Sequence, residues 1–118
     1  MGCRIHIHTK HEIEYGEGTF NHQMEGLGAL LDANGCYYYE MVSVDDFWSC
    51  VRWHIGVQEF RNAIKKIEEM SADDIAKYFD ADYVGEDKDK FKESVVSGLK
   101  YCLEHGDSRD GYLHFSWY

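Results

Sequence analysis

Cys3-Arg4-Ile5-His6-Ile7-His8-Thr9-Lys10-His11 alternates apolar and polar residues with the period of an extended strand and gathers three of the chain's seven histidines. Successive strand side chains leave opposite faces, so Ile5 and Ile7 are expected to point into a core while Arg4, His6 and His8 point away from it. A second alternating run, Tyr112-Leu113-His114-Phe115-Ser116-Trp117, reads as another strand near the other end. Strands at both ends with helical periodicity between them predict an α+β domain. It would be a small sheet that includes the N- and C-terminal strands, with about four helices packed on one face.

Between the two runs, Phe20, Met24, Leu27 and Leu31 recur at helical spacing, and Asn34-Gly35 supplies a helix stop, since glycine takes the left-handed conformation at low cost. Residues 12–19, with two glycines, read as a loop. Residues 36–42, with three consecutive tyrosines, read as a second strand. Ser43-Val44-Asp45-Asp46 matches a helix capping box, and Phe47, Val51 and Ile55 continue it as an apolar stripe. Gly56 interrupts that stripe, and Val57, Phe60, Ile64 and Ile67 resume it. Ser71-Ala72-Asp73-Asp74 repeats the cap before a short helix that ends near Asp80. The clearest helix covers residues 86–105, with Phe91, Val95, Leu99, Cys102 and Leu103 on one face and Gly106 as its stop.

A length of 118 residues is that of one domain, so residues 1–118 are expected to share one core. The absence of proline leaves Gly and Asn to make the turns. A formal charge of −10, spread evenly along the chain, argues against a nucleic-acid backbone or an anionic membrane as partner and favours a basic protein. Cys3, Cys36, Cys50 and Cys102 lack the paired spacing of a metal site, and no leader-like apolar run precedes them. Reduced thiols in the cytoplasm are the expectation.

His6 and His8, two residues apart on one strand face, can converge on a Zn²⁺ ion if a third ligand joins them. His114 is the candidate, because pairing of the terminal strands would set it opposite one of them; His11 and Glu14 are supplementary candidates. His22, His54 and His105 have weaker claims than these, and His105 is explained by a favourable place at a helix C-terminus. The Ile5-His6-Ile7-His8 quartet resembles the His-x-His pair that opens metal-dependent hydrolases of the amidohydrolase and polymerase-histidinol-phosphatase types. Those families are built on far longer barrels with further His and Asp motifs, so the chain is not assigned to them.

No nucleophile elbow, phosphate loop or dinucleotide fingerprint occurs, and the acidic pairs after Ser43 and Ser71 are explained by helix dipoles. The aromatic residues point elsewhere. Tyr37 and Tyr39 share a strand face, and a helix over the following residues would set Trp48 and Trp53 on opposite sides, so some of the four must face solvent as interface anchors. The leading expectation is therefore a small acidic protein that binds a macromolecular partner, as an inhibitor, immunity protein or adaptor does, and not an enzyme. The alternatives are a metal-binding or hydrolytic domain using His6, His8 and His114, and a homodimer paired through an exposed sheet edge.

Overall fold

A computed structural model describes residues 5–8, 14–44, 49–106 and 110–117. Its strands are β1 (Ile5–His8), β2 (Glu14–Glu17), β3 (Tyr38–Val44), β4 (Ser49–Gly56) and β5 (Tyr112–Trp117), joined in one antiparallel sheet in the order β2-β1-β5-β4-β3. The helices are α1 (Met24–Ala33), α2 (Val57–Glu69), α3 (Ala72–Ala76), α4 (Ala81–Val84) and α5 (Lys88–His105), with a 3-10 turn at Gly18–Phe20. The fold is α+β as expected, with both terminal strands in the sheet and the helices on one face. No helix among the described residues is long and apolar enough to cross a membrane.

The inward residues of the strands build the core. Ile5 and Ile7 of β1, Trp53 and Ile55 of β4, and Leu113, Phe115 and Trp117 of β5 are all buried against Leu27, Leu30 and Leu31 of α1, Phe60, Ile64 and Ile67 of α2, and Phe91, Val95 and Leu99 of α5. Trp53 is the hub. Tyr38 stacks on it at 4.2 Å between centroids, Trp117 meets it edge-on at 5.0 Å, and its indole N–H donates to the Glu40 carboxylate at 3.0 Å, which satisfies the polar atom that burial would otherwise strand. Gly98 lets α5 close on the 3-10 turn: a Cβ there would lie 3.0 Å from Phe20 Cε2, tighter than ordinary packing allows. The Tyr83 hydroxyl donates to the Thr19 carbonyl and ties α4 to the same turn. Lys92 Nζ donates to the carbonyls of Glu68 at 2.8 Å and Met70 at 2.7 Å, so α5 caps the otherwise unpaired end of α2.

Two expectations are corrected. β2 lies inside the segment read as a loop, where the short Glu14–Glu17 run carries too few residues to show an alternation. The helix expected from Ser43 through Ile55 is instead the end of β3 and all of β4. Val51 and Ile55 are four residues apart, a spacing that serves one turn of helix and two periods of strand equally well. What decides is the residue between them: Trp53 is buried with Ile55 while Arg52 is exposed and His54 half-buried, which is period two. Ser43 pairs with Cys50 across the ladder and so begins no helix, whereas Asp45, Asp46 and Phe47 lie outside the described residues. Gly56 marks a real junction, the change from β4 to α2.

The remaining stops and caps behave as read. Gly35 takes φ +75° after α1, and the Asn34, Gly35 and Cys36 amides return to carbonyls of the last helical turn. Ser71 Oγ accepts from the Asp74 amide at 3.1 Å. Substituting Ser71→Ala should therefore cost about 1 kcal/mol in urea or thermal denaturation, while Ser43→Ala should change stability by less than about 0.5 kcal/mol, since no helix begins there. Equal losses at the two serines would contradict the strand assignment.

Candidate functional site on the outer face of the sheet

The face of the sheet turned away from the helices is where chemistry gathers, and the register determines which residues meet. His8 pairs with His114 across β1 and β5, His114 pairs with His54 across β5 and β4, and His54 pairs with Tyr39 across β4 and β3. Three histidines therefore occupy one transverse row on three adjacent strands, with Glu14 at its β2 end. His6 falls in the next outward row, opposite Ser116 and in line with Arg52, and so does not share the row of His114. His11 lies outside the described residues.

The described side chains of the row are organised by a turn. Gly111, at φ +83°, lets the chain reverse so that Asp110 Oδ1 accepts from the Tyr112 amide at 3.0 Å while Oδ2 lies 2.8 Å from His114 Nε2. The backbone bond to Tyr112 and then the imidazole hold the Asp110 carboxyl below its usual range. The same turn is pinned to the helical layer, because the Val57 amide at the start of α2 donates to the Gly111 carbonyl at 3.0 Å. The His114 ring meets that of His54 edge-on, with centroids 4.6 Å apart. Burial, then the neighbouring His114, depress the pKa of His54, with Asp110 opposing and Arg52 adding to the effect, so the ring is held toward its neutral form.

Beside this row Tyr37, Tyr38, Tyr39, His54, Glu59 and Tyr112 line a hollow of about 500 Å³. Tyr37 and Tyr39 are 72 % and 71 % exposed. Trp53, expected beside them, is 1 % exposed and belongs to the core. That correction follows from the strand geometry, which sends Trp53 inward. Trp48 lies outside the described residues. Met41, Val42 and Tyr112 are exposed too, and β3 is the last strand of the sheet on its side, with no neighbour beyond it among the described residues. The thiol of Cys36 is buried close by, and burial, helped by Glu59, pushes its pKa up to about 11, so it stays protonated and is no nucleophile.

Sequence reasoning missed His54 and Asp110. His54 was hidden by the helix reading, which gave it no strand neighbours; Asp110 was absorbed into a turn, although Asp-Gly before an alternating run is a signal for an aspartate that bonds the backbone two residues on. Among the described residues no three His, Cys, Asp or Glu side chains are grouped so as to hold a metal ion. Comparison with protein-family models, with curated proteins and with solved structures finds no match to the chain.

The depressed pKa of His54 has a definite sign in stability. The unfolded chain binds this proton more readily than the folded one, so the contribution is present above the ordinary value of 6.5 and is lost as pH falls from there through the folded pKa. His54→Phe keeps the ring contact and removes the proton, so denaturant midpoints followed from pH 7.5 to 5.5 should fall less steeply than in the wild type. Parallel curves would show that His54 titrates as in the unfolded chain.

Proposed function

We propose that this is a cytosolic protein-binding module that docks a basic protein partner on β3 and the adjoining outer face of the sheet, in the manner of an inhibitor or adaptor. The observation that carries this reading is the exposure of Tyr39, Met41 and Val42 along β3, with Tyr37 just before it, on a strand whose second edge is unpaired among the described residues. Natural edge strands are guarded by Lys, Pro, bulges or short length, because an open ladder recruits other chains. β3 has seven residues, Tyr-Tyr-Glu-Met-Val-Ser-Val, with Glu40 as its one charge, and that charge is engaged by Trp53. An extended segment of a partner added to this edge would gain backbone hydrogen bonds from β3 and side-chain contacts from the tyrosines.

The net charge of −10 supports a basic partner, since long-range attraction raises the encounter rate, and Glu59 in the hollow offers a carboxylate to an incoming Lys or Arg. The buried Cys36 thiol, which forms no disulfide, accords with a reducing compartment. A partner captured from the native host and then purified should bind with an association rate that falls as salt rises, because the attraction is screened beyond about 8 Å at physiological ionic strength. Tyr39→Ala and Val42→Lys should each weaken it at least about tenfold, or 1.4 kcal/mol, while changing folding stability by less than about 0.5 kcal/mol. Equal binding by the variants, or an association rate indifferent to salt, would sink the proposal. Sedimentation of the protein alone separates this from self-pairing of β3, in which Val42→Lys would convert dimer to monomer.

A further inference from the structure

The hollow beside the histidine row combines aromatic faces with one unshared carboxylate. We infer that it is an arginine pocket, in which the guanidinium of an arginine on the basic partner lies against the rings of Tyr37, Tyr39 and Tyr112 and forks onto the Glu59 carboxylate. That assignment rests on the docking reading and names the anchor that the partner supplies.

The hollow forms where β3, β4, β5 and α2 converge. Tyr39 and His54 are cross-strand partners on β3 and β4, and Gly56 and Tyr112 are partners on β4 and β5. Glu59 stands in the first turn of α2, which begins directly after Gly56. Gly56 has no side chain, and a Cβ there would strike the Glu59 carboxylate. The carboxylate is thus folded back from the helix over the end of the sheet, beside the tyrosines that line the same hollow.

These groups are uncommitted within the protein. Tyr38 is the tyrosine spent on the core, stacked on Trp53. Tyr37, Tyr39 and Tyr112 are all exposed, and their rings stack on no other described side chain. The Glu59 carboxylate forms no ion pair or hydrogen bond among the described residues. No Lys or Arg is among the described residues that line the hollow, and burial, then His114, hold the His54 ring toward its neutral form. The hollow therefore carries an unneutralised negative charge between π-faces, the arrangement that attracts an organic cation.

Lysine and arginine both bring that charge, and the site favours arginine. A guanidinium is planar and more weakly hydrated than an ammonium, so it stacks on a tyrosine face at a smaller desolvation cost. Its N–H groups form a fork that matches the two oxygens of a carboxylate. The volume of about 500 Å³ lies within the range of clefts that enclose a small organic group, and exceeds what an ammonium alone would fill. The hollow also opens at the Tyr38 end of β3, so an extended segment added to the free edge of that strand has side chains within reach of it.

Titration of ¹⁵N-labelled protein with acetylated, amidated Gly-Gly-Arg-Gly-Gly, and with the same peptide carrying Lys in place of Arg, tests the pocket without the partner. The arginine peptide should shift the amide signals of Tyr39, Gly56, Glu59 and Tyr112 saturably and bind at least about threefold more tightly than the lysine peptide. Tyr39→Ala and Tyr112→Ala should each weaken it about two- to fivefold, whereas Tyr39→Phe, which keeps the ring face, should bind within about twofold of the wild type. Glu59→Gln should weaken it about threefold or more. Glu104→Gln, which removes an equal charge on α5 outside the hollow, should leave it unchanged. Circular dichroism checks the fold of each variant, and for an alanine variant that fails to fold the leucine variant, apolar but without a ring, is read instead. Equal affinity for the two peptides, no saturable shift in the hollow at millimolar arginine peptide, or a Glu59→Gln effect no larger than that of Glu104→Gln overturns the pocket. The partner's response to Val42→Lys separates the two readings: a silent hollow with a responsive β3 edge removes the arginine pocket alone, and a responsive hollow with a silent edge removes the docking edge alone.

Discussion

Everything in this structure depends on β5 pairing on both sides. Among the described residues the two antiparallel strand pairs, β1 with β2 and β3 with β4, share a ladder only through residues 112–117, so the last described strand is the middle of the sheet. Its inward residues Leu113, Phe115 and Trp117 are the centre of the core, with Phe115 against Phe60 at 5.7 Å and Trp117 against Trp53 at 5.0 Å. The pairing of β1 with β5 brings together residues more than a hundred positions apart in the chain. Such contacts give nothing until a long loop has been closed, so this pairing carries a larger closure entropy than the local helices or the β3–β4 pair.

The same strand sets the chemistry of the opposite face. Once the inward set of β5 is buried against the helices, a slip of one residue would turn Phe115 and Trp117 to solvent, so the register is strongly specified from the core side. His114 then has no freedom about which row it enters. It stands between His8 and His54 because Phe115 stands between Ile7 and Trp53. Hydrophobic packing on one face thus arranges imidazoles on the other, and the energy that holds the row comes from the core, not from the row's own interactions. Surface clusters that repel or desolvate one another, as the His54 and His114 rings do, persist only under such an external constraint.

β3 stands in contrast. Its inner residues Tyr38 and Glu40 are engaged with Trp53, but Val42 lies beyond the helical cover and is exposed although its parity is inward. Exposure on both faces of an edge strand costs solubility and brings no benefit to the isolated fold. It supports the proposal of a docking edge because a partner strand would remove that apolar surface from water and satisfy the ladder in one step.

Much of the fold was legible in the sequence because its signals are local. Alternation in residues 5–8 and 112–117, the Gly35 and Gly106 stops, the Ser71 cap and the stripe of Phe91, Val95 and Leu99 each act within a few residues of themselves, and each appears where it was read. The four-residue spacing of Val51 and Ile55 was ambiguous by arithmetic, since it fits both a helical turn and an even number of strand steps. The decision came from β5, whose ladder takes residues 51–56 as a partner and leaves no backbone donors for a helix. Sequence alone thus determined that His6, His8 and His114 lie on strands with an outward polar face. Only the tertiary register decided that His8 and His114 meet, that His6 stands apart, and that His54 and Asp110 join the row, because cross-strand neighbours are chosen by how two buried faces fit together, a quantity that no single strand contains.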